Sequence, residues 1–358
     1  MTRTVLLGDI AAINMGQSPK SEFYNSEGEG IPFMQGVRTF GRMYPTIDTW
    51  CTQPTKIADK GDLLFSVRAP VGELNYAPER MCIGRGLASL KSRNNKFLYY
   101  LLEANKSRLI SSQTGSVFGS VNATILQNFK LLIPQDTDEQ DRIADILGAI
   151  DEKIELNRKM NETLEQMGQA LFKKYFITNP EADQWLEDYI NTQVNIKYGK
   201  NLPTSKLKTD GYPVYGGNGR IGYFDEYIYE NQMVLVACRG AASGDVNLSE
   251  PKSFVTNNSL VLEITKESNF TYEYLRFYSL SRKNGYREFV TGSAQPQITI
   301  DSLAKCKIAL PSENLIKEFS KVGHLIVSKI RFNEEETQNL IVLRDSLLPR
   351  LISGKIKV

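Results

Sequence analysis

The sequence predicts an α+β protein in which two small α/β domains are separated by two long antiparallel coiled-coil helices, with a pseudo-twofold internal repeat. Three observations carry this. A central stretch from about Asp138 to Ile177 places core-type positions at Ile143, Leu147, Ile150, Ile154, Asn157, Asn161, Leu164, Gly168 and Leu171, in alternating steps of four and three. The second half of the chain repeats the motifs of the first. Between the helices lie short apolar runs bounded by glycine-rich turns, the pattern of strands.

The central stretch contains no proline, and Pro134 and Pro180 bracket it. About 40 helical residues at ~1.5 Å rise span on the order of 60 Å. Such a helix with a half-apolar seam needs a partner. Asn157 and Asn161 sit in the seam, where polar residues cost stability and fix register.

The repeat supplies that partner. Thr114-Gly115-Ser116 recurs as Thr291-Gly292-Ser293, and Pro134 as Pro311, both offset by 177. Ile31-Pro32 and Gly36 answer Tyr212-Pro213 and Gly217 at 181, and Arg68, Gly72 and Asn75 answer Arg239, Gly244 and Asn247 at 171 or 172. Drifting offsets are what loop insertions produce. Ile143, Ile150, Ile154, Asn157, Leu164 and Leu171 answer Phe319, Ile326, Ile330, Asn333, Leu340 and Leu347, all at 176. The expected order is therefore a domain over 1–135, a spacer helix over 136–178, a domain over 179–312 and a second spacer helix over 313–358. The second helix starts after Pro311 and fades near Pro349. Its stretch Glu318–Leu348 pairs with the first, with Asn157 matched by Asn333 and one domain at each end. Within the domains, strands are expected at Gly61–Val67 and Gln232–Ala237, and helices at Lys96–Leu109 and Thr271–Leu280.

Composition sets limits on function. At 41% hydrophobic and 23% charged residues, the chain reads as a soluble globular protein rather than a disordered one. No apolar run approaches the length of a membrane span, and the N-terminus lacks a secretory pattern. Four scattered cysteines, Cys51, Cys82, Cys238 and Cys306, point to reduced thiols in a cytoplasm and away from a zinc site. Residues 1–135 hold 15 Lys/Arg against 10 Asp/Glu, the central helix 6 against 10, and residues 179–312 hold 14 against 15. A basic first domain permits nucleic-acid binding without establishing it.

Several short motifs, weak alone, occur in a specific order. They are Leu7-Gly8-Asp9-Ile10 followed by Gly16-Gln17-Ser18-Pro19, then Gly61-Asp62-Leu63-Leu64, then Thr114-Gly115-Ser116 leading to Leu131-Leu132-Ile133-Pro134, Glu139-Gln140 and Ile150-Asp151-Glu152-Lys153-Ile154. The chain ends in Leu348-Pro349-Arg350-Leu351-Ile352-Ser353-Gly354-Lys355-Ile356. Doubled around two long helices, this order resembles the specificity subunit of type I restriction–modification systems over the whole chain. The resemblance implies two target-recognition domains that read a split double-stranded DNA target, with the helices setting the gap. It also implies docking of two DNA methyltransferase subunits and of restriction/translocase subunits, with no membrane partner. No catalysis and no cofactor are implied for this chain, S-adenosylmethionine, ATP and magnesium belonging to the partner subunits. A near-neutral second domain departs from what a phosphate-gripping module suggests.

Candidate DNA contacts are residues able to hydrogen-bond base edges or phosphates from loops. Arg68 and Arg239 follow matched strands; each can present a guanidinium to guanine, or can pair within its domain. Gln17, Ser18 and Lys20 occupy a polar loop, loosely matched by Lys200, Asn201 and Lys206, and a solvated turn is the competing reading. Asn218 and Arg220 lie in a glycine-rich segment that reads equally as a hairpin. Ser116, Ser120 and Asn122, with Ser293, Gln295 and Gln297, follow the shared Thr-Gly-Ser, where loop hydrogen bonding is the alternative. Asn157, Asn161 and Asn333 are the register residues of the helix pair.

Enzyme readings find little support. His324, the single histidine, lies on the second helix outside any nucleophile motif. There is no Asn-Pro-Pro-aromatic motif and no phosphate loop. Gly28-Glu29-Gly30 and Gly84-Arg85-Gly86 are too short for a dinucleotide fingerprint. A coiled-coil scaffold that does not touch DNA, and a specificity component of another restriction–modification class, remain the alternatives.

Overall fold

The computed structural model describes residues 2–111, 119–282, 284–292 and 295–358. The chain forms two compact units: Met1–Leu156 with Glu336–Val358, and Asn157–Glu335.

In the first unit a four-stranded antiparallel sheet runs in the order Ala11–Met15, Leu87–Ser92, Leu63–Ser66, Leu74–Tyr76. The strand Leu63–Ser66 is buried on both faces. Leu63 and Phe65 point into the main core with the helix residues Leu98, Leu101 and Ile143, and Leu64 points into a second cluster with Met34, Met81 and Ile83. Alternation with both faces covered explains why this strand reads as an unbroken apolar run. Ile31–Met34 pairs in parallel with Met81–Ile83, and Thr2–Leu6 pairs antiparallel with Lys130–Pro134, the strand that leads into the central helix.

The second unit repeats this plan. Its sheet order is Val194–Tyr198, Ser259–Ile264, Val234–Ala237, Val246–Leu248. Tyr212–Gly216 pairs in parallel with Phe254–Val255, and Leu186–Tyr189 pairs with Lys307–Leu310. Val234 and Val236 enter the main core, and Leu235 the smaller one.

Helix ends follow capping chemistry. Asn94 caps Asn95–Ala104 by accepting from Phe97 N, and Thr271 caps Tyr272–Ser281 by accepting from Tyr274 N. The single helix expected over Lys96–Leu109 is instead two, Asn95–Ala104 and Lys106–Ser111. Asn105 breaks it: its side chain donates to Leu101 O at 2.8 Å, an alternative to regular backbone bonding.

The central helix spans Thr137–Phe172 and ends in a π-helical turn, Lys173–Ile177. The C-terminal helix spans Glu313–Ile352 and passes through Pro349, where the sequence suggested it would fade. Proline there forfeits the bond its N–H would make to Asp345 O and crowds that carbonyl, a cost that burial must offset. Leu351 and Ile352 are buried in the first unit's core, which draws that turn in before the chain leaves at Gly354 (φ +70°).

Within each unit the two long helices run antiparallel. In the first, Lys153 meets Glu336 at 2.8 Å and Asp151 meets Arg344 at 2.8 Å. In the second, Asn333 Nδ2 donates to Asn161 Oδ1 at 2.7 Å, Asn161 Nδ2 donates to Ile330 O at 3.2 Å, and Asn157 faces Asn333, both fully buried. The expected register residues are thus brought together. Gly168 has a tertiary reason for its seam position, because a Cβ there would stand 2.3 Å from the Phe277 ring.

Glu103, on Asn95–Ala104, lines a cleft of the first unit with Lys106, Glu73, Arg344 and Asp151. Burial raises its pKa; Lys106 and Arg344 oppose that, and Glu73 and Asp151 add to it. A carboxyl whose folded pKa lies above its unfolded value stabilises the native state below the unfolded pKa, and that contribution is lost as pH rises through the folded value. Glu103→Gln is therefore expected to gain stability over the wild type between about pH 4 and pH 8. Urea unfolding at both ends of that range checks this, and a pH-independent difference would refute it.

Candidate nucleic-acid interface

Two residues past the strand Leu63–Ser66 stands Arg68, where three segments converge. Val67 N donates to Gly86 O at 3.0 Å, Val121 N donates to Val67 O at 2.9 Å, and Arg68 forms an isolated bridge with Ser120. Gly16 N donates to Leu87 O at 2.9 Å and Gln17 N to Ile83 O at 3.0 Å. Ser18 Oγ donates to Gln35 Oε1 at 2.8 Å and accepts from Arg85 N at 3.2 Å. Gln17, Ser18, Arg68, Arg85 and Ser120 therefore belong to one connected frame. Gln17, Arg68 and Arg85 are exposed, and neither arginine makes a side-chain hydrogen bond or ion pair among the described residues. Lys20 lies at the adjoining turn, 3.6 Å from Glu22.

The second unit builds the same frame from different residues. Cys238 N donates to Asn258 O and Ile298 N to Cys238 O, both at 3.0 Å, and Arg239 bridges Gln297. Gly199 N donates to Ser259 O at 3.1 Å, Lys200 N to Val255 O at 2.9 Å, and Asn257 N to Lys200 O at 3.1 Å. Backbone hydrogen bonds set the register between the copies: Lys200 stands where Gln17 does, Gln297 where Ser120 does, and Asn257 where Arg85 does. Arg68 and Arg239 are the same residue at the same place.

Other candidates fall as follows. Thr291 N donates to Gln297 O at 2.8 Å and Gln297 N to Thr291 O at 2.9 Å, and Gln295 is exposed. Asn122 caps the helix Ala123–Gln127 by accepting from Ile125 N at 2.9 Å, as Thr299 caps Ile300–Leu303, so its side-chain oxygen has a local structural role. Asn201 and Lys206 are exposed. Asn218 is exposed at the tip of a hairpin closed by Gly219 (φ +84°). Arg220 pairs with Glu250 at 3.0 Å and lies over the Tyr223 ring at 5.3 Å. Ser116 and Ser293 lie outside the described residues.

Close backbone approach holds the frame. A Cβ on Gly16 would sit 2.2 Å from Gly84 O, and one on Gly199 would sit 2.3 Å from Thr256 O. Gly16→Ala forces backbone to move on one side or the other. It is expected to cost about 1–3 kcal/mol, as overpacking does. An unchanged denaturation midpoint would show that the loop yields freely.

The exposed groups of the frame are guanidinium, ammonium and amide, suited to phosphate oxygens and base edges. Among the described residues no group of His, Cys, Asp and Glu could hold a metal ion. On the C-terminal helix, His324 Nδ1 lies 3.1 Å from Oε1 of Glu273 of the domain helix Tyr272–Ser281. The sequence reading missed Arg85, although Gly84-Arg85-Gly86 was noticed; the available signal was an arginine between two glycines at a strand end. It also missed Asp151, a buried carboxylate beside the heptad seam.

The class defined by this geometry is a duplicated α/β module, each copy presenting hydrogen-bonding side chains at one end of its sheet and leading into a long helix. The chain belongs to the family described as type I restriction modification DNA specificity domain, whose model matches residues 2–166 and again residues 191–330. A Methanocaldococcus jannaschii chain that carries the name MjaX specificity subunit of a type I restriction enzyme is 44% identical over 158 residues, covering 43% of this chain and 37% of that one. The type I restriction enzyme MjaIX specificity subunit of the same organism is 23% identical across 85% of this chain and 79% of its own length. The crystal structure of a type I restriction–modification S subunit from M. genitalium superposes with a TM-score of 0.65 at 18% identity, covering 98% of this chain and 96% of that one. The fold is shared with that S subunit.

Proposed function

We propose that this chain reads a bipartite double-stranded DNA target, one half-site per domain, as the non-catalytic specificity subunit of a type I restriction–modification complex. The observation that carries the reading is the duplicated frame: the same backbone hydrogen bonds in both units, with different side chains at equivalent positions. A protein reading two unlike half-sites needs a common scaffold and separate readers. The long helices set the unread gap and dock two methyltransferase subunits, with restriction/translocase subunits joining the assembly. S-adenosylmethionine, ATP and magnesium act in those partners.

Methylome sequencing of a host with and without the gene tests this. A split methylation motif that vanishes with the gene is expected; no such loss would defeat the reading. Replacing residues 1–135 with a homologous domain should change one half-site only. Removing one heptad from the middle of each long helix takes out on the order of 10 Å, about three base pairs. The gap should shorten accordingly or methylation should fail; an unchanged gap would exclude the helices as spacers. A salt-dependent mobility shift by the purified complex separates DNA reading from a scaffold role, because phosphate contacts release counterions.

A further inference from the structure

We infer that Arg85 is a base-reading residue of the first domain, directed at a guanine, and that Asn257 holds the equivalent place in the second domain. The inference rests on the DNA-reading function proposed above and goes beyond it by assigning a specificity-determining position.

Arg85 is held by its neighbours. Gly84 N donates to Met34 O at 2.7 Å, Gly86 N to Gln35 O at 3.1 Å, and Arg85 N to Ser18 Oγ at 3.2 Å. A Cβ on Gly84 would stand 2.4 Å from Gln35 Oε1, and one on Gly86 would stand 2.4 Å from Gln35 O. Two glycines pressed against one backbone segment fix where the Arg85 Cα sits. From Met81 to Leu90 every other residue is buried, so Arg85 alone leaves the surface there. Its guanidinium makes no hydrogen bond or ion pair among the described residues, whereas Arg220, Arg282 and Arg287 of the second unit all pair with carboxylates.

The comparison between copies decides the role. Thr256 N donates to Tyr215 O at 2.8 Å, as Gly84 N does to Met34 O, and Ser259 N donates to Thr256 O at 3.1 Å, as Leu87 N does to Gly84 O at 3.0 Å. The loop is therefore the same loop, carrying Arg85 in one copy and Asn257 in the other. Arg68 and Arg239, identical in both copies, suit a contact common to both half-sites. A residue that changes while its frame is kept suits a contact that differs between them. Arginine forms a bidentate pair with guanine O6 and N7, and asparagine with adenine N6 and N7.

The experiment uses the complete complex of this chain with its methyltransferase subunits, comparing wild type, Arg85→Ala and Arg85→Asn. The readouts are the methylated motif and binding to duplexes altered one base pair at a time. For Arg85→Ala, guanine preference at one position of one half-site should fall about tenfold to a hundredfold, with the other half-site and the gap unchanged. Arg85→Asn should move the preference at that position toward adenine. Retention of the full motif by Arg85→Ala overturns the inference. So does an equal loss on every duplex with a shallower salt dependence, the signature of a phosphate contact. If the wild-type complex itself leaves no split motif, the DNA-reading function fails first, a result distinguishable from both. Melting of the isolated Arg85→Ala chain should match the wild type, since the side chain is exposed.

Discussion

Asp151→Ala is expected to destabilise the first unit by about 3–5 kcal/mol, the cost of removing one partner from a buried ion network. The Asp151 carboxylate is only 4% exposed. It accepts from Tyr100 Oη at 2.7 Å and from Arg344 Nη1 at 2.8 Å, and it also pairs with Arg42. These partners come from the domain helix, the C-terminal helix and a domain loop, so one carboxylate ties three elements to the central helix. Its removal takes that carboxylate from the largely buried guanidinium groups of Arg42 and Arg344, of which Arg344 keeps Asp345 at 2.7 Å. Arg344→Met should cost less, because Arg42 and Tyr100 still satisfy the carboxylate. Urea unfolding of the three proteins gives the order; a loss below about 1 kcal/mol for Asp151→Ala would mean that solvent already screens the network.

The second unit ties its domain helix to the central helix through a different pair, with the basic partner on the domain helix. Arg276 of Tyr272–Ser281 pairs with Glu165 of the central helix. Arg276 is 4% exposed, and its Nη1 also reaches Gln232 Oε1 at 3.5 Å. Arg276→Ala should destabilise this unit by about 3–5 kcal/mol. The pair is imperfect, however: Arg276 Nε and Glu165 Oε1 are buried with no hydrogen-bond partner among the described residues. Two such groups carry desolvation costs that an apolar pair avoids. The double variant Arg276→Met/Glu165→Met should therefore recover most of the loss or exceed the wild type. Hydrogen exchange on Tyr272–Ser281 reads the effect locally; a double variant no better than Arg276→Ala would show that the ion pair itself stabilises the docking.

Much of the architecture was legible because it is local. The seam from Ile143 to Leu171 has helical period, and Leu63–Ser66 and Val234–Ala237 are apolar runs of strand length. Misses arose where tertiary packing overrode a local signal. Pro349 should end a helix, but burial of Leu351 and Ile352 carries the helix past it. Asn105 interrupts a helix that period alone would continue. The candidate site is half legible: composition and repetition single out Arg68, Arg239, Gln17 and Lys200, whereas Gly84-Arg85-Gly86 reads only as too short for a dinucleotide fingerprint.

By itself, the sequence determined the duplication, the two long helices with asparagines facing one another in their seam, and the strands that carry each domain. These features are periodic or repeated, and each is set by residues near one another in the chain. Only the tertiary structure decided that Arg68 lies beside Ser120, that Ser18 holds Arg85, that Lys200 is the counterpart of Gln17, and that Asp151 and Arg276 are the buried ties of their units. Those neighbours come from segments tens of residues apart, brought together by sheet register and by burial of the helix faces. Hydrophobic periodicity specifies which face is buried, but it does not encode which polar residues meet at its edge.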